Sequence, residues 1–203
     1  MSIAITLPDG SVRQFEKPVS GLEVATSIGP GLAKASVAMT VDGELQDLTR
    51  TIDHDVKLAF ITRDKEEALE ILRHDAAHVM AQAVKELYPD TQVTIGPAVE
   101  NGYYYDFCRA TSFTPEDLEK IEQRMMEIVD RDIPIVREVW DRNEAIAFFE
   151  KQGEAFKAEI IRDLPENQTI TLYRQGDFID LCRGPHLPST GKLGKGFKVT
   201  KLA

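Results

Sequence analysis

The feature that most constrains the fold is a helical pattern from Asp64 to Tyr88, the longest in this 203-residue chain. Asp64 and Glu67 have capping-box spacing at its start, and Pro89 stops it. Apolar residues recur every three or four positions, which predicts one buried stripe. The residues expected in this stripe are Leu69, Leu72, Ala76, Val79, Ala83 and Leu87.

His74 and His78 lie on this helix, four positions apart. Positions i and i+4 share one helix face, so both imidazoles are expected at the rim of the buried stripe. Cys182 and His186 form a second pair with the spacing C-x3-H. Because the chain has only four histidines and two cysteines, two such pairs suggest ligands, bases or a nucleophile of one site.

The first sixty residues have the order β-β-α-β-β, which predicts a small ubiquitin-like β-grasp domain. Its strands are expected at Ser2–Leu7, Val12–Glu16, Val37–Val41 and Val56–Thr62, with a helix opened by Ser20 and Glu23. The boundary is expected at Arg63-Asp64. The predicted domains are therefore residues 1–63 and residues 64–203.

The remaining chain predicts a larger α+β domain with a mostly antiparallel sheet. Asn101-Gly102 lies between two strand-like runs and is a strong hairpin signal. Helices are expected from Thr114, at Asn143–Gln152 and at Glu154–Leu164. The expected strands are Val93–Val99, Tyr103–Phe107, Pro134–Trp140, Thr169–Arg174, Phe178–Cys182 and Phe197–Leu202.

Composition excludes several classes of protein. Hydrophobic residues make up 42% and charged residues 29% of the chain, as in soluble globular proteins. There is no run of 18 apolar residues and no basic-then-apolar leader, so no membrane span and no secretory signal are expected. Two cysteines do not make a disulfide framework, which favours a reducing, cytoplasmic location.

The net charge of −10 is unevenly distributed. Residues 182–203 hold five cations and no acid, so the first 181 residues carry −15. Such a basic tail could contact a phosphate backbone, although solvated lysines are the simpler interpretation. The candidates for a nucleic-acid contact are Arg183, Lys192, Lys195 and Lys198.

Strand alternation places Asp180 and Cys182 on one face, and Gly184-Pro185 then bends the chain. Three interpretations of the site remain open at this point. The quartet His74, His78, Cys182 and His186 is chemically complete for tetrahedral zinc. The helix motif also resembles the H-E-x-x-H of zinc peptidases, with a shorter Asp in place of Glu. A hydrolase that needs no metal could use the same side chains to hold water and substrate.

The sequence closely resembles the N-terminal region of bacterial threonyl-tRNA synthetase, with its TGS domain followed by its editing domain. The editing-domain resemblance rests on His74-x3-His78, Cys182-Arg183-Gly184-Pro185-His186, Ile95-Gly96-Pro97, Asn101–Asp106 and Gly153–Lys157. The TGS resemblance rests on Leu7–Ser11 and Ile28–Ala35. The aminoacylation core, its zinc site and the anticodon-binding domain of the family would follow Ala203, so the chain is expected to be an isolated N-terminal part.

This resemblance implies hydrolysis of the ester of seryl-tRNA(Thr), the mischarged product. It implies catalytic roles for His74, Lys157 and His186. It implies substrate-binding roles for His78, Tyr105, Tyr173, Asp180 and Cys182. No cofactor is required in the family, whereas related alanyl-tRNA synthetase domains bind zinc through such a quartet. The expected partner is the acceptor end of tRNA(Thr) carrying serine, and the parent enzyme is expected to dimerise through its core. The alternatives are a zinc-dependent hydrolase and a non-catalytic tRNA-binding module.

Overall fold

The computed structural model describes residues 2–96, 98–99 and 101–201 and divides into two units. The first unit is Met1–Leu72 with Gly184–Pro188, and the second is Arg73–Arg183 with Ser189–Ala203. The division falls inside a helix, after Leu72. The domain boundary expected after Arg63 stays a prediction.

The first unit is built on a five-stranded mixed sheet with the strand order β2-β1-β7-β4-β5. The central strands β1 and β7 are parallel, whereas the other neighbours are antiparallel. The strands are β1 (Ile3–Thr6), β2 (Val12–Phe15), β3 (Val19–Ser20), β4 (Ser36–Val41), β5 (Glu44–Asp47), β6 (Thr51–Ile52) and β7 (Val56–Thr62). This arrangement agrees with the expected β-grasp.

Two short helices cross this sheet. Helix α1 (Gly21–Ile28) begins with the predicted capping box, in which Ser20 and Glu23 each accept from the other's backbone N–H. Helix α1 ends at Ile28, and Pro30 begins α2 (Pro30–Ala35) at a position where its missing N–H costs nothing. Val24 and Ala25 of α1 pack into an apolar core with Ile5 and Leu58.

The second unit combines helices with short antiparallel strands. Its helices are α3 (Glu66–Leu87, which begins in the first unit), α4 (Pro115–Arg131), α5 (Arg142–Lys151) and α6 (Ala155–Asp163). Its strands are β8 (Gln92–Val93), β9 (Ala98–Val99), β10 (Gly102–Tyr103), β11 (Phe107–Cys108), β12 (Ile135–Trp140), β13 (Ile170–Gln175) and β14 (Phe178–Leu181). A short 3-10 helix follows at Thr190–Leu193. The expected α+β class is confirmed.

The antiparallel sheet β12-β13-β14 carries one side of the candidate site. The hairpin predicted at Asn101-Gly102 forms in two pieces, with β9 paired to β10 and β8 paired to β11. Pro97, part of the predicted first strand and of the Ile95-Gly96-Pro97 motif, lies outside the described residues.

Two expectations were wrong. Leu69 of the predicted stripe is 46% exposed, and α3 has no single buried face, because residues 75–84 are buried all round. No strand forms at 197–201, the described part of the expected last strand. There the backbone N–H of Val199 donates to the Glu122 carboxylate, which replaces the ladder bond a neighbouring strand would supply.

None of the described helices is both long and apolar enough to cross a membrane.

Candidate active site

Helix α3 places two imidazoles side by side, one turn apart. The ring centroids of His74 and His78 are 4.7 Å apart, with an angle of 62° between the planes. His78 is 4% exposed, whereas His74 is half-buried. The i, i+4 spacing therefore gives the expected neighbours but two different environments.

Asp180 on β14 is the centre of a buried cluster of ionisable side chains. One carboxylate oxygen, Oδ1, pairs with the ammonium of Lys157 and accepts from the backbone N–H of Leu181 at 2.8 Å. The other oxygen, Oδ2, lies 3.0 Å from Nδ1 of His78 and accepts from the Tyr105 hydroxyl at 2.7 Å. We call His78, Tyr105, Lys157 and Asp180 the Asp180 cluster.

Lys157 reaches the cluster from helix α6. Its Nζ donates to the Tyr105 hydroxyl oxygen at 2.9 Å, and the residue is only 2% exposed. A buried ammonium is tolerated because a carboxylate compensates its charge and hydrogen bonds satisfy its protons. The alternative of a solvated surface lysine at this position is therefore excluded.

Glu154, which sequence reasoning missed, anchors the start of α6. Its carboxylate accepts from the backbone N–H of Val93 at 2.8 Å and lies 2.5 Å from the ammonium of Lys85. Glu154 is 5% exposed and stands three residues before Lys157. The available signal was the motif Gly153–Lys157, which contains Glu154 and on which the resemblance already rested.

The close approach of the Tyr105 ring explains why position 96 is a glycine. A Cβ added at Gly96 would lie 2.1 Å from Cδ2 of Tyr105, far inside van der Waals contact. Backbone hydrogen bonds between residues 94–95 and Asp106 hold this approach in place. Phe107 stacks on the other side of Tyr105, with ring centroids 5.2 Å apart. The absence of a side chain at Gly96 thus lets the Tyr105 ring occupy its place beside Asp180.

The electrostatics of the cluster keep Asp180 ionised. Burial alone raises its pKa, but the ammonium of Lys157 and the hydrogen bonds from Lys157 and His78 outweigh burial, so the pKa of Asp180 lies well below its usual range. Burial and the neighbouring carboxylate raise the pKa of Tyr105 well above its ordinary value. Tyr105 is therefore a neutral hydrogen-bond donor at neutral pH.

His74 and Cys182 form the half-buried part of the site. Nε2 of His74 lies 3.1 Å from Sγ of Cys182, and both residues are of intermediate exposure. Lys157 and the other members of the Asp180 cluster are each less than 10% exposed. The His74–Cys182 pair is therefore the part of this site that water reaches most easily.

Of the predicted quartet His74, His78, Cys182 and His186, the first three lie in the second unit and have the chemistry of metal ligands. In the second unit, the donor atoms of His74, His78 and Cys182 lie within 4.8 Å of one another. Tetrahedral zinc needs about 3.5 Å between nitrogen and sulfur ligands, given its bond lengths. The donor types fit zinc, but the 3.1 Å between His74 and Cys182 is a hydrogen-bond distance that would have to open slightly.

The remaining predicted site residues and nucleic-acid contacts lie in different elements of the structure. Tyr173 is 3% exposed and lies directly opposite Asp180 in the β13–β14 register. His186, buried and in the segment of the first unit, donates its backbone N–H to Asp47 at 2.7 Å. Of the predicted nucleic-acid contacts, Lys195 and Lys198 pair with Asp130 and Glu122 of α4. Arg183 donates to Gln168, and Lys192 lies in the 3-10 helix.

Comparison with known families identifies both parts of the chain. Residues 3–62 match the TGS domain. Residues 170–202 match the "Threonyl and Alanyl tRNA synthetase second additional domain", which covers β13, β14 and the Cys182–His186 motif. The chain thus contains a TGS domain followed by a segment similar to an additional domain of threonyl and alanyl tRNA synthetases.

Three individual relatives are all threonine–tRNA ligases. The chain is 68% identical over 202 residues to a threonine–tRNA ligase of Paramagnetospirillum magneticum and 66% identical over 201 residues to one of Rhodospirillum rubrum. It is 64% identical over 200 residues to one of Acidiphilium cryptum. These alignments cover 98–99% of this chain but only 31–32% of the relatives. The chain spans about a third of the length of these curated relatives, and the expected resemblance to the N-terminal region of threonyl-tRNA synthetase is confirmed.

Proposed function

We propose that the second unit hydrolyses the ester of seryl-tRNA(Thr) and so removes serine that was attached to the wrong tRNA. The match to a domain of threonyl and alanyl tRNA synthetases supports a tRNA substrate. The observation that carries the proposal is that the half-buried imidazole of His74 packs against His78, which Asp180 connects to the buried, charge-compensated ammonium of Lys157. A base and a fixed cation in one site are groups that can catalyse ester hydrolysis.

His74 is the proposed general base. Neutral imidazole accepts a proton near pH 7, and His74 is the more exposed of the two helix histidines. In the proposal, His74 positions a water molecule and takes its proton as the water attacks the ester carbonyl. The acyl–oxygen bond then breaks, and the proton passes from His74 to the ribose oxygen of the tRNA as serine is released. Cys182, in contact with His74, forms a wall of the pocket, and Tyr173 bounds it from β13.

Lys157 is the proposed stabiliser of the oxyanion. Asp180 and Tyr105 account for two of its three N–H groups, and we propose that the third faces the ester carbonyl. Its position is fixed before substrate binds, which makes such a charge effective in a site that excludes water. The resemblance implies a substrate-binding role for Asp180, which would be to pair with the α-ammonium of the substrate. This role is not carried into the proposal, because both carboxylate oxygens already hold two donors each.

His186 is proposed as a further catalytic residue on the resemblance alone. It stands four positions after Cys182, so covalent geometry limits the distance between the two Cα atoms to about 14 Å. The metal alternative uses the same residues. When bound, zinc would supply a water of lowered pKa, held by His74, His78, Cys182 and His186.

The selectivity follows from size. Serine lacks one methyl group of threonine, and a pocket built for threonine rejects it by only about 1–3 kcal/mol. A second site that accepts only the smaller amino acid completes the discrimination, an arrangement known for this enzyme class. The pocket beside His74 is proposed to admit the hydroxymethyl group of serine and to exclude the methyl of threonine.

The test is the rate of hydrolysis of seryl-tRNA(Thr) and threonyl-tRNA(Thr) by the wild type and two variants. His74→Ala and Lys157→Ala should each lower the rate for the serine ester by at least about 10²-fold. His54→Ala is the matched control, because His54 is 69% exposed and lies in the first unit. Equal rates in wild type and His74→Ala would reject the proposal. Full activity of metal-free protein would reject the zinc alternative.

We propose three further properties from the relatives. The partner is the acceptor end of tRNA(Thr), with Arg183, Lys192, Lys195 and Lys198 as predicted contacts. The whole protein ligates threonine to tRNA and dimerises through regions outside this chain. It acts in the cytoplasm. A module that only binds tRNA would retain it without hydrolysis, with binding that weakens steeply as salt rises.

A further inference from the structure

The carboxylate of Asp180 has no acceptor position left for a ligand. A carboxylate offers about four lone-pair sites. Oδ1 holds the Lys157 ammonium and the Leu181 backbone N–H, and Oδ2 holds the Tyr105 hydroxyl and Nδ1 of His78. The residue is 1% exposed, so displacing any of these donors would leave a polar group unpaired in the interior. Asp180 therefore acts through its neighbours.

His78 is the neighbour whose chemistry Asp180 can control. An ionised carboxylate only accepts hydrogen bonds, so the 3.0 Å contact requires a proton on Nδ1 of His78. In a neutral imidazole, Nε2 then carries no proton and can only accept a hydrogen bond or bind a metal. The hydrogen bond made by one ring nitrogen therefore decides which of the two nitrogens carries the proton.

We propose that Asp180 is a positioning residue that holds His78 in the tautomer with its proton on Nδ1, and that catalysis depends on this tautomer. The link between this tautomer and catalysis rests on the proposed hydrolysis, whereas the assignment of the tautomer does not. The tautomer of His78 can affect the proposed general base because the His78 ring lies 4.7 Å from that of His74, which contacts Cys182. Lys157 and Tyr105 contribute by holding the carboxylate in the orientation that presents Oδ2 to His78.

The exchange Asp180→Asn is expected to reverse the tautomer. Oδ1 receives an ammonium and a backbone N–H, and neither can become an acceptor. The amide oxygen of asparagine must therefore stay at the Oδ1 position, which places its NH2 group opposite His78. An NH2 donor requires a lone pair on Nδ1, so the proton of His78 must move to Nε2. A similar exchange at the catalytic Asp–His pair of a serine protease lowers kcat by about 10⁴-fold because the histidine adopts the wrong tautomer.

The experiment records long-range ¹H–¹⁵N spectra of ¹⁵N-histidine-labelled, metal-free protein, in which the two tautomers have distinct nitrogen shifts. His78→Gln identifies the signals of His78 among the four histidines. Wild type should show the proton on Nδ1, and Asp180→Asn should show it on Nε2. Asp177→Asn is the matched control, since Asp177 is an exposed acid at the turn of the same hairpin and should leave the tautomer unchanged. Tyr105→Phe removes the other donor to Oδ2 and should also keep the proton on Nδ1.

Hydrolysis of seryl-tRNA(Thr) is measured on the same samples. Asp180→Asn should lower kcat by about 10²- to 10⁴-fold with little change in KM, because Asp180 does not touch the substrate. A proton on Nε2 in wild type, which needs no folded variant to observe, would overturn the proposal. So would an unchanged tautomer in folded Asp180→Asn, or a rise in KM with kcat preserved. A tautomer that reverses in a protein without any hydrolytic activity would uphold the positioning role and reject the proposed function.

Discussion

The core of the first unit and the Asp180 cluster of the second unit are both buried, but they are stabilised differently. The first packs apolar side chains such as Ile5, Val24 and Leu58 between sheet and helix, and each gains free energy by leaving water. The second buries a lysine, an aspartate and a histidine, whose desolvation must be offset by mutual attraction and hydrogen bonds. Buried ionisable groups with strongly shifted pKa values occur preferentially at functional sites, which supports a functional role for this cluster.

The largest expected effect comes from breaking the charge compensation. Lys157→Met removes the ammonium but keeps much of the volume, which leaves the Asp180 carboxylate buried without its cation. We expect the second unit to lose about 3–5 kcal/mol of unfolding free energy. Trp140 is the only tryptophan and lies in the second unit, so its fluorescence during urea unfolding reports on that unit. The double variant Lys157→Met with Asp180→Asn should recover part of the loss, and an equal or larger loss would contradict charge compensation.

The next largest effect is expected on the pH dependence of the stability of the second unit. The folded pKa of Asp180 lies below its unfolded value of about 3.9, so its contribution to stability is complete above that value and is lost as pH falls toward the folded pKa. Stability of the second unit should therefore fall as pH is lowered from about 5, by on the order of 3 kcal/mol from this group. Urea unfolding followed by Trp140 fluorescence should show a weaker dependence on pH in Asp180→Asn. Identical dependence in wild type and variant would contradict the assignment.

A steric change tests how the cluster is held. Gly96→Ala places a methyl group against the Tyr105 ring, and overpacking of this kind costs about 1–3 kcal/mol. The displaced ring should also weaken the hydrogen bonds from Tyr105 to Asp180 and from Lys157 to Tyr105, with lower hydrolysis as the result. Gly196→Ala is the control, because Gly196 lies in the same unit as Gly96 and has open space around it. Thermal unfolding by Trp140 fluorescence should change only in Gly96→Ala.

The smallest effect is expected at the surface. Lys195→Ala and Lys198→Ala remove ion pairs with Asp130 and Glu122, in which both lysines are about half exposed or more. Such pairs contribute little, because water and salt screen them, and unfolding should not change measurably. If either lysine contacts a phosphate, its loss should reduce the slope of log affinity for tRNA against log salt by about one. An unchanged slope would remove that lysine from the predicted interface.

Much of the scaffold could be predicted because its signals are local. The capping box at Ser20 and Glu23 and the strand from Val56 to Thr62 each depend on residues within a few positions. The prediction of a last strand was wrong for a reason that is not local, since Glu122 on α4 accepts the hydrogen bond from the backbone N–H of Val199. The predicted burial of Leu69 was wrong for a similar reason, because burial of a helix face depends on what packs against it.

The sequence by itself determined which residue types meet: the spacing of His74 and His78 follows from helix geometry, and the motif around Cys182 follows from the resemblance. Only the tertiary structure decided their chemical states. Burial of Lys157 depends on a carboxylate 23 residues later in the chain, and the tautomer of His78 depends on the same carboxylate. The physical reason is that desolvation and charge compensation are set by distances between elements, whereas sequence periodicity reports only the geometry within one element.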